Sequence, residues 1–316
     1  MTSPQLGMFL PMPVPGASGG SVREIADAAR RIERVGLESA WQGDLLLGRY
    51  PTLAAGSVLA AAAAVTERIG LGYAVKVPAL HPLPWLAQDL ATTQYLSGGR
   101  VLYGVTPGDG PFERWRGGLR DQAAWHAVGA DYADRERATD AFLERFADLV
   151  AGKPVPVDPP GTGEFALTFP VPAPPLLIGG DDAAVFERVV RYGDAWFPAV
   201  TAPSRIEAGV TRLRELADAA GRPAPGVTVA LPVHLGEGTG GADERARASA
   251  TIAELYGVPA DEASDVMVFG PPRVAAELLA HYAEIGVDRV VFSVSNDRWD
   301  DQLELIAEAG RLAAGA

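Results

Sequence analysis

The 316-residue chain contains no cysteine. Disulfides, thiolate metal ligands and a cysteine nucleophile are excluded together, and a reducing compartment suits the composition. Histidine is scarce as well: His81, His126, His234 and His281 stand in neither an H-x-H nor an H-E-x-x-H spacing, so no metal site is expected. Neither a G-x-S-x-G elbow nor a P-loop occurs, which sets aside serine-triad hydrolysis and nucleoside triphosphate chemistry. The most apolar run, residues 58–65, is alanine-dominated and far short of the roughly 20 residues that span a bilayer. Residues 1–12 lack the basic and long apolar segments of a signal peptide, so a cytoplasmic location is expected. The formal net charge is -13, and the basic residues are scattered, which argues against nucleic acid or an anionic membrane as partner.

With 48% hydrophobic and 21% charged residues the chain can bury a substantial core. Short apolar runs rich in β-branched residues alternate with longer stretches of helical periodicity, the pattern of a parallel sheet with crossover helices. Strands are expected at 6–9, 39–42, 70–75, 101–105, 176–178, 195–197, 228–233 and 289–293. Helices are expected from about 22 and at 52–64, 83–96, 132–150, 183–191, 203–220, 272–285 and 299–313, with an extra one at 243–256. Ser21 and Glu24 form an S-x-x-E capping box before the first helix. Eight strand-helix units favour a single (β/α)8 TIM barrel over residues 1–316 rather than an open doubly wound sheet. Insertions are expected after strand four, before strand five and after strand seven. Residues 106–130, rich in Gly, Arg and Trp, read as a lid or binding loop, and residues 153–175 are too proline-dense for a regular helix or central strand.

In such a barrel the active site lies where strands end and βα loops begin. Those ends carry Pro11, Pro13, Gly43, Asp44, Lys76, Thr106, Gly108, Gly179, Gly180, Asp181, Pro198, His234, Ser295 and Asn296. They are poor in acids, bases and nucleophiles, as suits a site whose bound cofactor carries the hard chemistry. Glycines at 104, 108, 179 and 180 let backbone N–H groups approach a planar ring or a phosphate. Plainer readings compete at several positions. Asp182 suits a helix N-cap, His81 before Pro82 suits a loop, and Trp41 and Trp196 suit a core. Lys76 at a strand end invites a Schiff base, but one lysine is a weak signal for it.

Three stretches carry a family resemblance. Thr66-Glu67-Arg68-Ile69-Gly70-Leu71-Gly72, then His81-Pro82, then Leu96-Ser97-Gly98-Gly99-Arg100 leading into Tyr103-Gly104-Val105 resembles the strand three to strand four region of luciferase-like monooxygenases. Pro175-Leu176-Leu177-Ile178-Gly179-Gly180 with Gly193-Asp194-Ala195-Trp196-Phe197-Pro198 is similar to that family's strands five and six, and Gly36-Leu37-Glu38-Ser39-Ala40-Trp41-Gln42-Gly43-Asp44 to its strand two. The resemblance implies an oxidoreductase with a reduced flavin (FMN) or the deazaflavin coenzyme F420 lying across the strand ends. Such a protein passes a hydride to, or monooxygenates, a small-molecule substrate, and a homodimer is compatible with it. The implied cofactor-binding residues are Asp44, Ala74, Val75, Lys76, Thr106, Gly108, Gly179, Gly180 and Asp181, and the candidate catalytic ones are Asp44, His81 and His126. A bulge or non-proline cis peptide is implied between positions 74 and 77. Richness in Ala, Gly and Arg points to a high-GC genome, where the deazaflavin is common among relatives, and leans the cofactor toward F420.

Three departures from the family pattern stand out. Leu45 occupies the place of a histidine that serves many members in proton transfer, Pro107 that of a phosphate-binding arginine, and Asp181-Asp182 follow the glycine pair where a hydroxyl would suit a phosphate. They motivate a second reading, a degenerate, non-catalytic barrel acting as a subunit or binding protein.

Overall fold

The computed structural model describes residues 3–12, 22–44, 53–108, 119–157, 161, 163–236, 242–256, 259–294 and 298–315. β1 (Gln5–Phe9) is followed by α1 (Val22–Val35), whose buried Ile25, Ala28, Ala29 and Ile32 recur at helical spacing. Next come β2 (Ser39–Gln42), α2 (Ala55–Ala63), β3 (Gly70–Lys76), α3 (Leu83–Leu96), β4 (Val101–Val105), α4 (Leu119–Val128) and α5 (Arg135–Val150). After β5 (Val155–Pro156) and β6 (Glu164–Phe165) come β7 (Leu176–Gly179), α6 (Ala183–Tyr192), β8 (Ala195–Phe197), α7 (Pro203–Ala219) and β9 (Gly226–Leu235). The chain continues through α8 (Ala242–Tyr256), α9 (Ala260–Val266), β10 (Val268–Gly270), α10 (Pro272–Ile285), β11 (Arg289–Ser293) and α11 (Trp299–Ala314).

Among the described residues eight strands pair in parallel in the order β1-β2-β3-β4-β7-β8-β9-β11, and β11 pairs back onto β1. The sheet is therefore a closed barrel, as the alternation of strands and helices predicts. Side chains along each strand alternate between the helix layer and the lumen. Met8, Ala40, Leu71, Tyr103, Ile178, Val229 and Phe292 join the outer core, whereas Trp41, Leu102, Leu177, Phe197, Ala230 and Val291 form the lumen cluster. The Trp41 indole donates from Nε1 to Ser39 Oγ (2.8 Å), and its ring lies 5.1 Å from that of Phe197. A Cβ at Gly72 would stand 2.0 Å from that indole, so only glycine lets β3 pass there.

Most differences from expectation lie outside the barrel strands. Residues 106–130 hold a helix, α4, that their Gly- and Arg-rich composition conceals, and the following helix begins at Arg135 after a short 3-10 turn, Tyr132–Asp134. The proline-dense stretch contains a small antiparallel pair, β5 with β6. β9 runs longer than expected, and the three-residue β10 extends the sheet beside its end. Ser21 of the capping box lies outside the described residues. Among the described residues no helix is long and apolar enough to cross a membrane.

Candidate active site

The end of β3 is built around one extra residue. Tyr73 pairs with Tyr103 and Lys76 with Val105, so three steps along β3 match two along β4. The Ala74–Val75 peptide bond within this bulge is cis, as expected for that stretch. The added residue resets the alternation. Ala74 and Val75 both pack against the lumen cluster, and Lys76 returns to the side of Tyr73, its Nζ lying 5.2 Å from that ring.

Lys76 consequently enters the barrel wall. Its Nζ lies 3.2 Å from Asp44 Oδ2 and 3.2 Å from Asp89 Oδ2 on α3, and its side chain is only 6% exposed. His81 Nε2 lies 2.9 Å from the same Asp44 oxygen, and Tyr73 donates toward Asp89 Oδ2 at 3.3 Å and bonds Thr93 Oγ1 at 2.8 Å. Burial pushes the Asp44 carboxyl up, but the His81 hydrogen bond and the Lys76 charge outweigh it and hold the group below its ordinary value. Burial, reinforced by Asp89, pushes the Tyr73 phenol well above its ordinary value. The ammonium between two carboxylates has no free lone pair to attack a carbonyl, so the Schiff-base reading of Lys76 is set aside. Asp44, Lys76 and His81 are thus brought together, as one polar network in the wall.

The other candidates fall at two neighbouring strand ends. Thr106 N–H donates to the Lys76 carbonyl at 2.9 Å, tying the end of β4 to the bulge. Gly108 adopts φ +96° beside Val77 and the buried Trp125. Gly179 ends β7, and Gly180 turns the chain at φ +117°, its carbonyl accepting from Trp196 Nε1 at 2.7 Å. Asp182 caps α6 by accepting from Val185 N–H at 2.8 Å, which is the plainer of its two readings. Asp181 Oδ2 pairs with Arg205 at 2.7 Å. Trp41 and Trp196 are both core residues. His126 is exposed on α4, and among the described residues no hydrogen bond or ion pair joins it to Asp44, Lys76 or His81. Pro13, Leu45, Ser295 and Asn296 lie outside the described residues.

Two groups lie outside the candidate cofactor and catalytic residues, although His234 stands among the strand ends that the sequence marks. Arg205, at the start of α7, reaches across to the β7 end. At the end of β9, His234 Nε2 lies 2.8 Å from Arg298 Nη1 and 3.2 Å from Glu244 Oε1, and the imidazole stacks on Phe269 (5.5 Å, 12°). One signal was available for His234: Val229, Leu231, Val233 and Leu235 all belong to the outer core, which leaves the even positions, Ala230 and His234 among them, on the lumen face. Its partners lie 10 and 64 residues away in sequence, where no local pattern connects them.

A family model described as luciferase-like monooxygenase matches residues 4–289. Uncharacterized proteins of Mycobacterium tuberculosis and Mycobacterium bovis are each 31% identical over 233 residues, 70% of this chain and 74% of theirs. An F420-dependent secondary alcohol dehydrogenase, solved with an F420-acetone adduct, superposes with a TM-score of 0.79 at 17% identity over 99% of both chains. The F420-dependent tetrahydromethanopterin reductase from Methanopyrus kandleri gives 0.69 at 19% identity over 98% of both chains. EDTA monooxygenase from Chelativorans sp. BNC1 gives 0.75 at 16% identity over 98% of this chain and 94% of that one. At these identities the three structures bear on the fold.

Proposed function

Because the chain belongs to the luciferase-like monooxygenase family, we propose that it is an oxidoreductase that binds coenzyme F420, or alternatively FMN, at the C-terminal mouth of its barrel. It would transfer a hydride to a small organic substrate or monooxygenate one. The observation that carries the reading is the floor of that mouth. Ala74 and Val75 join Trp41 and Phe197 in one apolar cluster, while the charges of Asp44 and Lys76 are withdrawn into the wall.

That floor suits a planar ring. A Cβ at Gly179 would fall 3.4 Å from the Phe197 carbonyl and 3.5 Å from that of Val105, and one at Gly43 would fall 3.5 Å from the Ala74 carbonyl. Both glycines keep clear a cradle that any side chain would occupy. Ala74, Val75, Thr106 and Gly179 would hold the ring. Arg205 and the N–H groups at the start of α6 other than that of Val185, which Asp182 caps, are the donors suited to an acidic tail, since a helix N-terminus favours anions. Bound there, the cofactor supplies two-electron redox chemistry. The residues around it exclude water from one face and fix its orientation. F420 is preferred to FMN because of the Ala-, Gly- and Arg-rich composition, and two of the similar structures are F420-dependent enzymes.

The test is a titration of the purified protein with F420 and with FMN, read by fluorescence quenching. Saturable quenching by one of them is expected. If neither quenches saturably, the alternative of a barrel without redox function replaces the proposal.

A further inference from the structure

We propose that His234 is the proton-exchanging group of the barrel mouth, and that Arg298 and Glu244 are positioning residues that give its Nε2 a partner in either protonation state. The inference rests on the oxidoreductase reading, because a substrate gaining or losing a hydride usually needs a proton moved at the neighbouring oxygen or nitrogen.

The usual place for such a group, after β2, offers little. The position that follows Asp44 holds leucine, and His81 is tied through Nε2 to Asp44 in the wall. His234 differs in both respects. Strand alternation puts it on the lumen face, one residue from the end of β9. The strand end is also fixed firmly: Gln302 Oε1 accepts from Leu235 N–H (2.7 Å) and its Nε2 donates to the Leu235 carbonyl (2.8 Å). The ring is held flat on Phe269, over which the Arg245 guanidinium also lies at 5.6 Å. Among the described residues the charged groups that face the imidazole are Glu244 from α8 and Arg298, which immediately precedes α11. Nδ1 has no protein partner among the described residues.

The two contacts at Nε2 cannot operate at once. An arginine N–H only donates, so Arg298 at 2.8 Å requires a lone pair on Nε2 and therefore a neutral ring with its proton on Nδ1. Glu244 at 3.2 Å only accepts, so it requires a proton on Nε2. The site thus holds a partner for each state. The neutral ring takes a proton from solvent at Nε2, where Glu244 receives the hydrogen bond in place of Arg298. The ring then gives its Nδ1 proton to a basic oxygen or nitrogen of the substrate and is left as the neutral Nε2–H tautomer, which proton exchange with solvent returns to the Nδ1–H form. One proton has moved from solvent to substrate and no charge is left behind. In the oxidative direction the same steps reverse.

The test reads the imidazole directly in cofactor-free protein labelled with 15N-histidine, with His234→Gln used to assign the signals. At alkaline pH the Nδ1–H tautomer is expected for His234. Arg298→Met should shift it toward the Nε2–H tautomer. On acidification of the parent a second ring proton should appear at Nε2, and Glu244→Gln should shift that resonance. An Nε2–H tautomer in the alkaline parent, or a tautomer indifferent to Arg298→Met, overturns the proposal. In the second arm, cofactor affinity of His234→Gln should match the parent, while turnover of any substrate the parent accepts should fall about 100-fold. Undiminished turnover also overturns it. Failure of the parent to bind either F420 or FMN would count against the oxidoreductase reading instead, and on a separate measurement.

Discussion

Replacing Lys76 by methionine removes the only cation described between Asp44 and Asp89 and keeps most of the side-chain volume. At an effective dielectric of about 20, each 3.2 Å ion pair is worth about 5 kcal/mol of attraction. Most of that is offset in the parent by the cost of burying the ammonium, several kcal/mol per ion. The variant recovers that cost but leaves two carboxylates behind. Asp89, with its side chain 34% exposed, can regain water, whereas Asp44 at 13% is left with His81 as its described partner. The loss should therefore come from Asp44 and lie near the lower end for a broken buried pair, about 3 kcal/mol, or roughly 4–5 °C in Tm for a chain of this size. Asp44→Asn in the same background removes the stranded charge, so the double variant should recover about 2 kcal/mol relative to additivity. The pH dependence has a definite sign. Folded Asp44 titrates below its ordinary value, so its contribution in the parent is complete above about pH 4 and is lost as pH falls through the depressed folded value. In Lys76→Met that contribution is absent, and the gap between parent and variant should narrow in acid. Urea denaturation followed by tryptophan fluorescence measures the free energies and their pH dependence, and thermal denaturation the Tm shift. A cost below about 1 kcal/mol, or additivity in the double variant, would refute the reasoning.

Other perturbations probe separate parts of the barrel. Glu33 Oε1 accepts the backbone N–H groups of Glu67, Arg68 and Ile69 at 3.0, 2.7 and 3.2 Å, so Glu33→Ala should cost about 1.5 kcal/mol by thermal denaturation at neutral pH and less in acid. Gly180→Val should destabilise by about 2–4 kcal/mol, because φ is +117° and its Cβ would stand 2.7 Å from Val185 Cγ2; a melting temperature equal to the parent's would contradict this. Asp181→Ser frees Arg205, so F420 or FMN should bind equally or more tightly in a fluorescence titration, and loss of binding would place the anionic tail elsewhere.

The barrel was legible because strands and helices leave different periods in the chain, and Trp41, Leu102 and Val291 already sit on the lumen face by parity. Asp44, Lys76 and Gly179 were likewise legible as strand ends. The role of Lys76 was not, because it depends on a bulge that shifts its phase, and the α3 partner Asp89 shows no motif. α4 was hidden by a composition that usually marks loops, and β10 by being three residues long. Arg205, Glu244 and Arg298 meet their partners through the packing of neighbouring strand-helix units, which no local motif encodes.

The bulge in β3 also constrains how the gene can change. Substitutions at Ala74 or Val75 alter what the lumen floor is made of but leave the phase of the strand intact. Losing a single codon between Tyr73 and Lys76 would restore strict alternation. The lysine, one position earlier, would still fall on the side of Tyr73 and opposite Val105, but the floor would keep only one of the two residues that the bulge turns onto it. Length in this stretch therefore sets how many residues make the floor, and a deletion here should thin the floor while sparing the Asp44–Lys76–Asp89 network, a change that no substitution at Ala74 or Val75 makes.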